Sequence, residues 1–120
     1  MTFREINSSH DWAMVYADTA DAYRKLGEPD NEQKFRRLAL KYERRAADAV
    51  VAHFPHVEPT RSVLLRSAAT LAVECGELDE AIRLLHLGFS GDPPREIAAE
   101  LCEVMGEVMK AVQRRTLTPG

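Results

Sequence analysis

LRSAATLAVECGELDEAIRLLHLGFSGDP, running from Leu65 to Pro93, decides the fold. Gly76 divides it into two short segments with small residues at helical spacing. Ala68, Ala69 and Ala72 precede the glycine, and Ala81, Leu85 and Gly88 follow it. Small side chains at steps of three and four let two helices cross closely. A glycine supplies the left-handed turn between them, and Pro93 closes the unit. The stretch predicts an α-helical hairpin.

The same pattern extends in both directions. A first helix is predicted from about Ser8, where Ser8-x-x-Asp11 resembles a capping box, to a stop at Gly27. Its apolar face is Trp12, Val15, Tyr16, Thr19, Tyr23 and Leu26. A second helix starts at Pro29 and Asp30, with a stripe of Phe35, Leu38, Ala39, Tyr42, Ala46, Ala49 and Val50, and ends near His53. Pro55 and Pro59 break the chain over residues 54–59. Helices are predicted from about residue 60 to Cys75 and from about Asp79 to Ser90. A last one begins at Pro94, carries Ile97, Leu101, Met105, Val108, Met109 and Val112, and ends near Arg115, with a frayed tail from Thr116. Nothing alternates with period two, so the expectation is one all-α domain. It comprises hairpin 1 (about 8–53), a linker (54–59), hairpin 2 (about 60–91) and a capping helix (about 94–115).

Bulk properties narrow the function. The 120 residues carry 16 basic and 19 acidic side chains, a formal net charge of −3 shared evenly between the halves. Wholesale electrostatic binding of nucleic acid needs a concentrated cationic face and is not expected. Met1–Glu5 does not read as a signal peptide, and no apolar run approaches the ~20 residues that cross a bilayer. Cys75 and Cys102 are isolated, without a Cys-x-x-Cys pair, which suits free thiols in a reducing compartment. The expectation is a cytoplasmic protein without a membrane partner or a cofactor.

The residues resemble the tetratricopeptide repeat, a helix-pair unit of about 34 residues. Ala69, Gly76, Ala81 and Leu85 occupy its small, turn, small and large positions, and Pro93 terminates it. Gly88 stands where alanine is usual and should loosen the helix, and Ala72 replaces a large aromatic. The first hairpin fits through Tyr16, Ala20, Tyr23, Gly27 and Ala39, while Glu32 and Arg36 fall where apolar residues are expected. The resemblance covers Trp12 to Pro93 and implies antiparallel hairpins stacked as a right-handed superhelix, with the last helix as a cap. A closed helical bundle that borrows the hairpin is the alternative within the class.

The resemblance further implies a protein-interaction module that holds a protein or peptide in a groove lined by the first helix of each pair. By position the groove residues are Met14, Ala17, Asp21, Arg24 and Lys25, then Arg66, Thr70 and Glu74. They are polar and mixed in charge, and lack the lysine–asparagine clamp with which some members grip a terminal carboxylate. Two repeats make a short groove, which suits a low-affinity adaptor or a homo-oligomer.

Several further features compete with this reading. Lys34, Arg37, Lys41, Arg44 and Arg45 form a basic face on the second helix. It is interpreted as a solvated surface partly neutralised by Glu32, Glu43 and Asp48. His53 and His56 with Glu58 could begin a metal site, but no second ligand cluster completes it. His86 is expected to point outward. Arg4 and His10 have the Arg-x(4–6)-His spacing of small all-α ribonucleases of the HEPN type, although here the pair precedes the first helix instead of lying within a late one. That is the alternative, catalytic and nucleic-acid-directed reading; a self-associating accessory subunit of a partner enzyme is the third. Cys75 and Cys102 have no recognisable base and are expected to act as small apolar residues. Met105 and Met109 are expected to bury the last helix against the third and fourth, while Val104 and Ala111 could serve a homodimer.

Overall fold

The computed structural model describes residues 1–117, which form five α-helices: α1 (Phe3–Lys25), α2 (Pro29–His53), α3 (Thr60–Glu74), α4 (Leu78–Ser90) and α5 (Arg95–Leu117). Among the described residues there is no strand. None of the helices is long and apolar enough to cross a membrane.

The first helix starts at Phe3, well before the expected Ser8. Thr2 is its cap: the Glu5 backbone N–H donates to the Thr2 hydroxyl at 3.1 Å, and the Thr2 N–H donates back to the Glu5 carboxylate at 3.4 Å. This reciprocal box satisfies two otherwise orphaned donors. Ser8 and Asp11 therefore lie inside the helix. Glu58 in the linker accepts from the Ser62 backbone N–H at 2.9 Å, so this carboxylate secures the start of α3. At the other end α5 runs through Thr116 and Leu117, past the expected fraying point, while residues 118–120 lie outside the described part.

Both hairpins turn by the same device. Gly27 has φ +71° and Gly76 has φ +74°. The following N–H reaches back across the helix end in each, Glu28 to Tyr23 O at 3.0 Å and Glu77 to Ala72 O at 2.8 Å. The glycine N–H groups donate to Arg24 O and Val73 O. This is a Schellman ending, which requires the left-handed conformation that side chains with a Cβ resist. The tetrads Gly27-Glu28-Pro29-Asp30 and Gly76-Glu77-Leu78-Asp79 share Gly-Glu-x-Asp, so turn and helix start repeat together.

Each of the first four helices packs on the next, and α5 lies across both α3 and α4, giving an elongated body of 42 × 29 × 23 Å. The core is built from Leu64, Leu65, Ala68, Ala69 and Ala72 of α3 with Ala81, Leu84 and Leu85 of α4. Leu101 and Val108 close it from α5, and Ala39, Ala46 and Val50 from α2. A leucine buried in this way contributes roughly 1.5–3 kcal/mol. Gly88 is buried where α5 crosses α4. A Cβ there would lie 3.0 Å from Leu101 Cδ2, so the missing side chain is the seat of that leucine. Arg115 then ties the end of α5 to the α3–α4 turn by donating to Gly76 O at 2.7 Å.

The buried face of α1 is rotated from the one its large residues suggested. Ile6, Ser9, Ala13 and Ala20 are buried, and the Ser9 hydroxyl donates to Tyr42 O at 2.7 Å. Trp12, Val15 and Leu26 remain 55%, 51% and 70% exposed. Small residues fill the fully buried line where α1 and α2 approach, while Tyr16 and Tyr23 pack half-buried beside it against Phe35 and Tyr42 of α2.

The glycines make a graded test. Gly76→Val should lower unfolding stability by about 2 kcal/mol, because a β-branched residue is forced into the left-handed region. Gly88→Ala should cost less, since only the tip of Leu101 must yield. Gly106→Ala, with nothing within 4 Å of the new Cβ, should stabilise by about 0.5–1 kcal/mol. Urea denaturation midpoints order the three.

Candidate functional site: a cleft between the first and third helices

The first helices of the two hairpins leave a cleft of about 270 Å³ between them. Met14, Ala17 and Asp21 line it from α1, and Arg66, Thr70, Leu71 and Glu74 from α3, with Arg36 of α2 completing the wall. Met14, Asp21, Arg66, Thr70 and Glu74 are thus brought together. Arg24 and Lys25 are not in the lining; they sit exposed in the last turn of α1, where their charge complements the helix dipole.

Arg36 organises the cleft. Its guanidinium is almost wholly buried and meets three carboxylates. Nη1 lies 3.0 Å from Asp21 Oδ1 and 3.3 Å from Glu74 Oε2, and Nη2 lies 3.0 Å from Glu32 Oε2. Burial opposes its charge, but the hydrogen bonds to Glu32 and Asp21 prevail and hold the proton more firmly than usual. Burial raises the Glu74 carboxyl above its ordinary value, and Arg36 offsets only part of that. The position where the family resemblance expected an apolar residue carries the cation that joins α1, α2 and α3. At the other end of the cleft Arg66 pairs with Glu100 of α5, and the Thr70 hydroxyl donates to Arg66 O at 3.0 Å.

A second polar centre lies beneath. Glu43, expected on the solvated basic face, is fully buried, and His10 Nδ1 lies 2.9 Å from both of its carboxylate oxygens. The hydrogen bond to Glu43 lifts the His10 imidazole above its ordinary value. Burial lifts the Glu43 carboxyl, with His10, Ser67 and Arg66 pulling it partly back. This carboxylate is therefore consumed in joining α1 to α2. Arg4 is exposed and belongs to a separate hollow with Trp12, Tyr42 and Arg45, so the Arg4–His10 spacing does not bring the two side chains to one site.

Burial also pushes the Cys75 thiol up to about 11, which keeps it protonated and unreactive near neutral pH. Among the described residues no group of three or more His, Cys, Asp or Glu could hold a metal ion. His86 is exposed. Met105 packs against the core, whereas Met109 is 53% exposed and does not bury α5 as expected. Of the basic face, Lys34, Arg37, Lys41 and Arg45 are exposed, while Arg44 lies 4.0 Å from Glu80 of α4.

Comparison of the chain with protein-family models, with curated proteins and with solved structures gives no match.

Proposed function

We propose that this chain is a small cytoplasmic protein-interaction module of tetratricopeptide-like architecture, binding a peptide or protein segment in the cleft between α1 and α3 without catalysing a reaction. The observation that carries the reading is the convergence of Met14, Asp21, Arg66, Thr70 and Glu74, all from first helices of the two hairpins, on one cleft. The repeated Gly-Glu-x-Asp turn and the packing of helices on their neighbours support stacked hairpins, with α5 as the cap. The volume suits roughly one or two side chains of an extended ligand, below the range of typical small-molecule sites. Cations and carboxylates alternate along the wall, so the ligand carries charges of both signs around a short apolar anchor that meets Met14 and Leu71.

A displayed peptide library selected on the immobilised chain tests this. Thr70→Arg is the informative variant: loss of the threonine costs only a hydrogen bond to the preceding turn, while the new side chain fills the cleft. Selected peptides should bind the parent chain and lose at least about tenfold affinity for Thr70→Arg. Peptides that bind both equally would place the binding surface elsewhere.

A further inference from the structure

One face of α1 carries the exposed apolar residues Trp12, Val15, Ala22 and Leu26, which no described residue buries. Ser8, Trp12, Val15, Thr19, Ala22 and Leu26 step four, three, four, three, four, the seam spacing of a helix that packs lengthwise on another helix. All are exposed except Thr19, which is half-buried. The helix packs on α2 through Ile6, Ser9, Ala13 and Ala20, and it faces the cleft through Met14, Ala17 and Asp21. The seam lies on the remaining side, turned away from the cleft. Burying it would orphan no donor at its centre, because the Thr19 hydroxyl already donates to Val15 O at 2.8 Å. Such a face on a single soluble chain marks an interaction surface.

The geometry points to a second copy of this chain as the occupant, its α1 lying antiparallel along the first. The argument is self-complementarity. A twofold axis beside Ala17 sets Trp12 against the second copy's Ala22, Val15 against its Thr19, and Leu26 against its Ser8. Each large side chain thus meets a small or medium one, and the same contacts recur on the other side of the axis. In that register the residues bordering the seam meet across it, Asp11 of each copy beside Lys25 of the other. Both are exposed, and the Asp11 carboxylate also acts at a distance on the His10 imidazole of its own chain. A parallel pair would instead stack Trp12 on Trp12 and Ala22 on Ala22, and would set Asp11 and Asp18 beside Tyr16 and Tyr23 with Lys25 past the last partner position on α1, so that no charge is matched within the helices. Asp18 alone is adverse, since it faces its own copy near the axis. Two attractions against one repulsion favour the antiparallel contact, which is isologous and therefore closes as a dimer. The seam is about 27 Å long at helical rise, small for a permanent interface, so association is concentration-dependent.

Trp12 is the only tryptophan of the chain, so its emission reports the seam directly. Sedimentation equilibrium and Trp12 fluorescence on the full chain test the inference, with circular dichroism as the check that each variant is folded. With rising concentration the mass should climb above the 13.5 kDa monomer toward twice that value while the emission shifts to the blue. Val15→Lys, at an exposed position, should weaken dimerisation by at least about tenfold. Asp11→Lys should weaken it too, the double variant Asp11→Lys/Lys25→Asp should restore it, and Asp18→Asn should strengthen it. Thr70→Arg should leave it unchanged, which separates this surface from the cleft. A wild type that stays monomeric, a Val15→Lys that dimerises normally, or a charge exchange that fails to restore association would each overturn the inference. So would a monomeric wild type whose Trp12 emission shifts only on phosphatidylcholine–phosphatidylglycerol vesicles, which would assign the seam to a lipid surface.

Discussion

Replacing Arg36 with alanine is expected to lower unfolding stability by about 3 kcal/mol and to loosen the cleft. The guanidinium is the shared partner of Asp21, Glu32 and Glu74, each within 3.3 Å, and those carboxylates come from α1, α2 and α3. Removing it leaves three negative groups converging without a countercharge. They are partly exposed, so water screens much of their repulsion. The larger share of the loss comes from the missing charge-assisted hydrogen bonds and from the emptied volume of a nearly buried side chain. Arg36→Lys keeps the charge but cannot fork between carboxylates, and should fall between the parent and alanine. Urea denaturation measures both. A loss below about 1 kcal/mol for alanine would mean that the cluster contributes little to holding α1 against α3.

The His10–Glu43 pair should show a comparable effect with a different signature. Glu43→Ala is expected to cost about 3 kcal/mol, because it leaves a cavity between α1 and α2 and strips His10 of its acceptor. Replacing both residues together by leucine should return stability to within about 1 kcal/mol of the parent, since a packed apolar pair avoids desolvating a charge. The pH dependence follows from the shifts. Both groups bind their proton more tightly folded than unfolded, His10 through its hydrogen bond to Glu43 and Glu43 through burial. The His10 contribution is therefore complete below the unfolded imidazole value of about 6.5 and is lost as pH rises through the higher folded one. The raised Glu43 carboxyl adds a loss of the same sign at lower pH. Relative to His10→Gln, the parent should lose Tm over the interval from about pH 6.5 up through the higher folded value of the imidazole. A parent that gains Tm over that interval would contradict the assignment.

The legible and the hidden parts of this fold differ in what fills their interfaces. Helices α3, α4 and α5 are readable because leucine and alanine carry their core, and because Gly76 and the prolines punctuate them. The fully buried line of the α1–α2 interface is not, because it is made of small and charged residues, with the half-buried pairs Tyr16–Phe35, Tyr16–Tyr42 and Tyr23–Phe35 beside it. Arg36, Ala39, Glu43, Ala46 and Val50 step three, four, three, four along the buried line of α2. A search for apolar residues finds Phe35 and Tyr42, which do meet Tyr16 and Tyr23 of α1, but passes over the two charges on the fully buried line. The same bias favours Trp12 and Val15 over Ser9 and Ala13 on α1, although the large pair faces outward. Two charged residues in register with an alanine stripe are the available signal of a polar seam. The cleft residues of α3 and the middle of α1 come from the family resemblance, which places them on the first helix of each pair. Arg24 and Lys25 lie outside the lining, exposed in the last turn of α1, although the Arg24 charge still acts on Glu74.

The most direct measurement is affinity purification of the tagged chain from its native host, with quantitative mass spectrometry of co-eluting proteins. Parent, Thr70→Arg and Val15→Lys would be compared side by side. A stoichiometric partner other than the chain itself should be retained by the parent and by Val15→Lys and lost from Thr70→Arg. A partner retained equally by Thr70→Arg, or recovery of nothing but the chain, would contradict binding in the cleft.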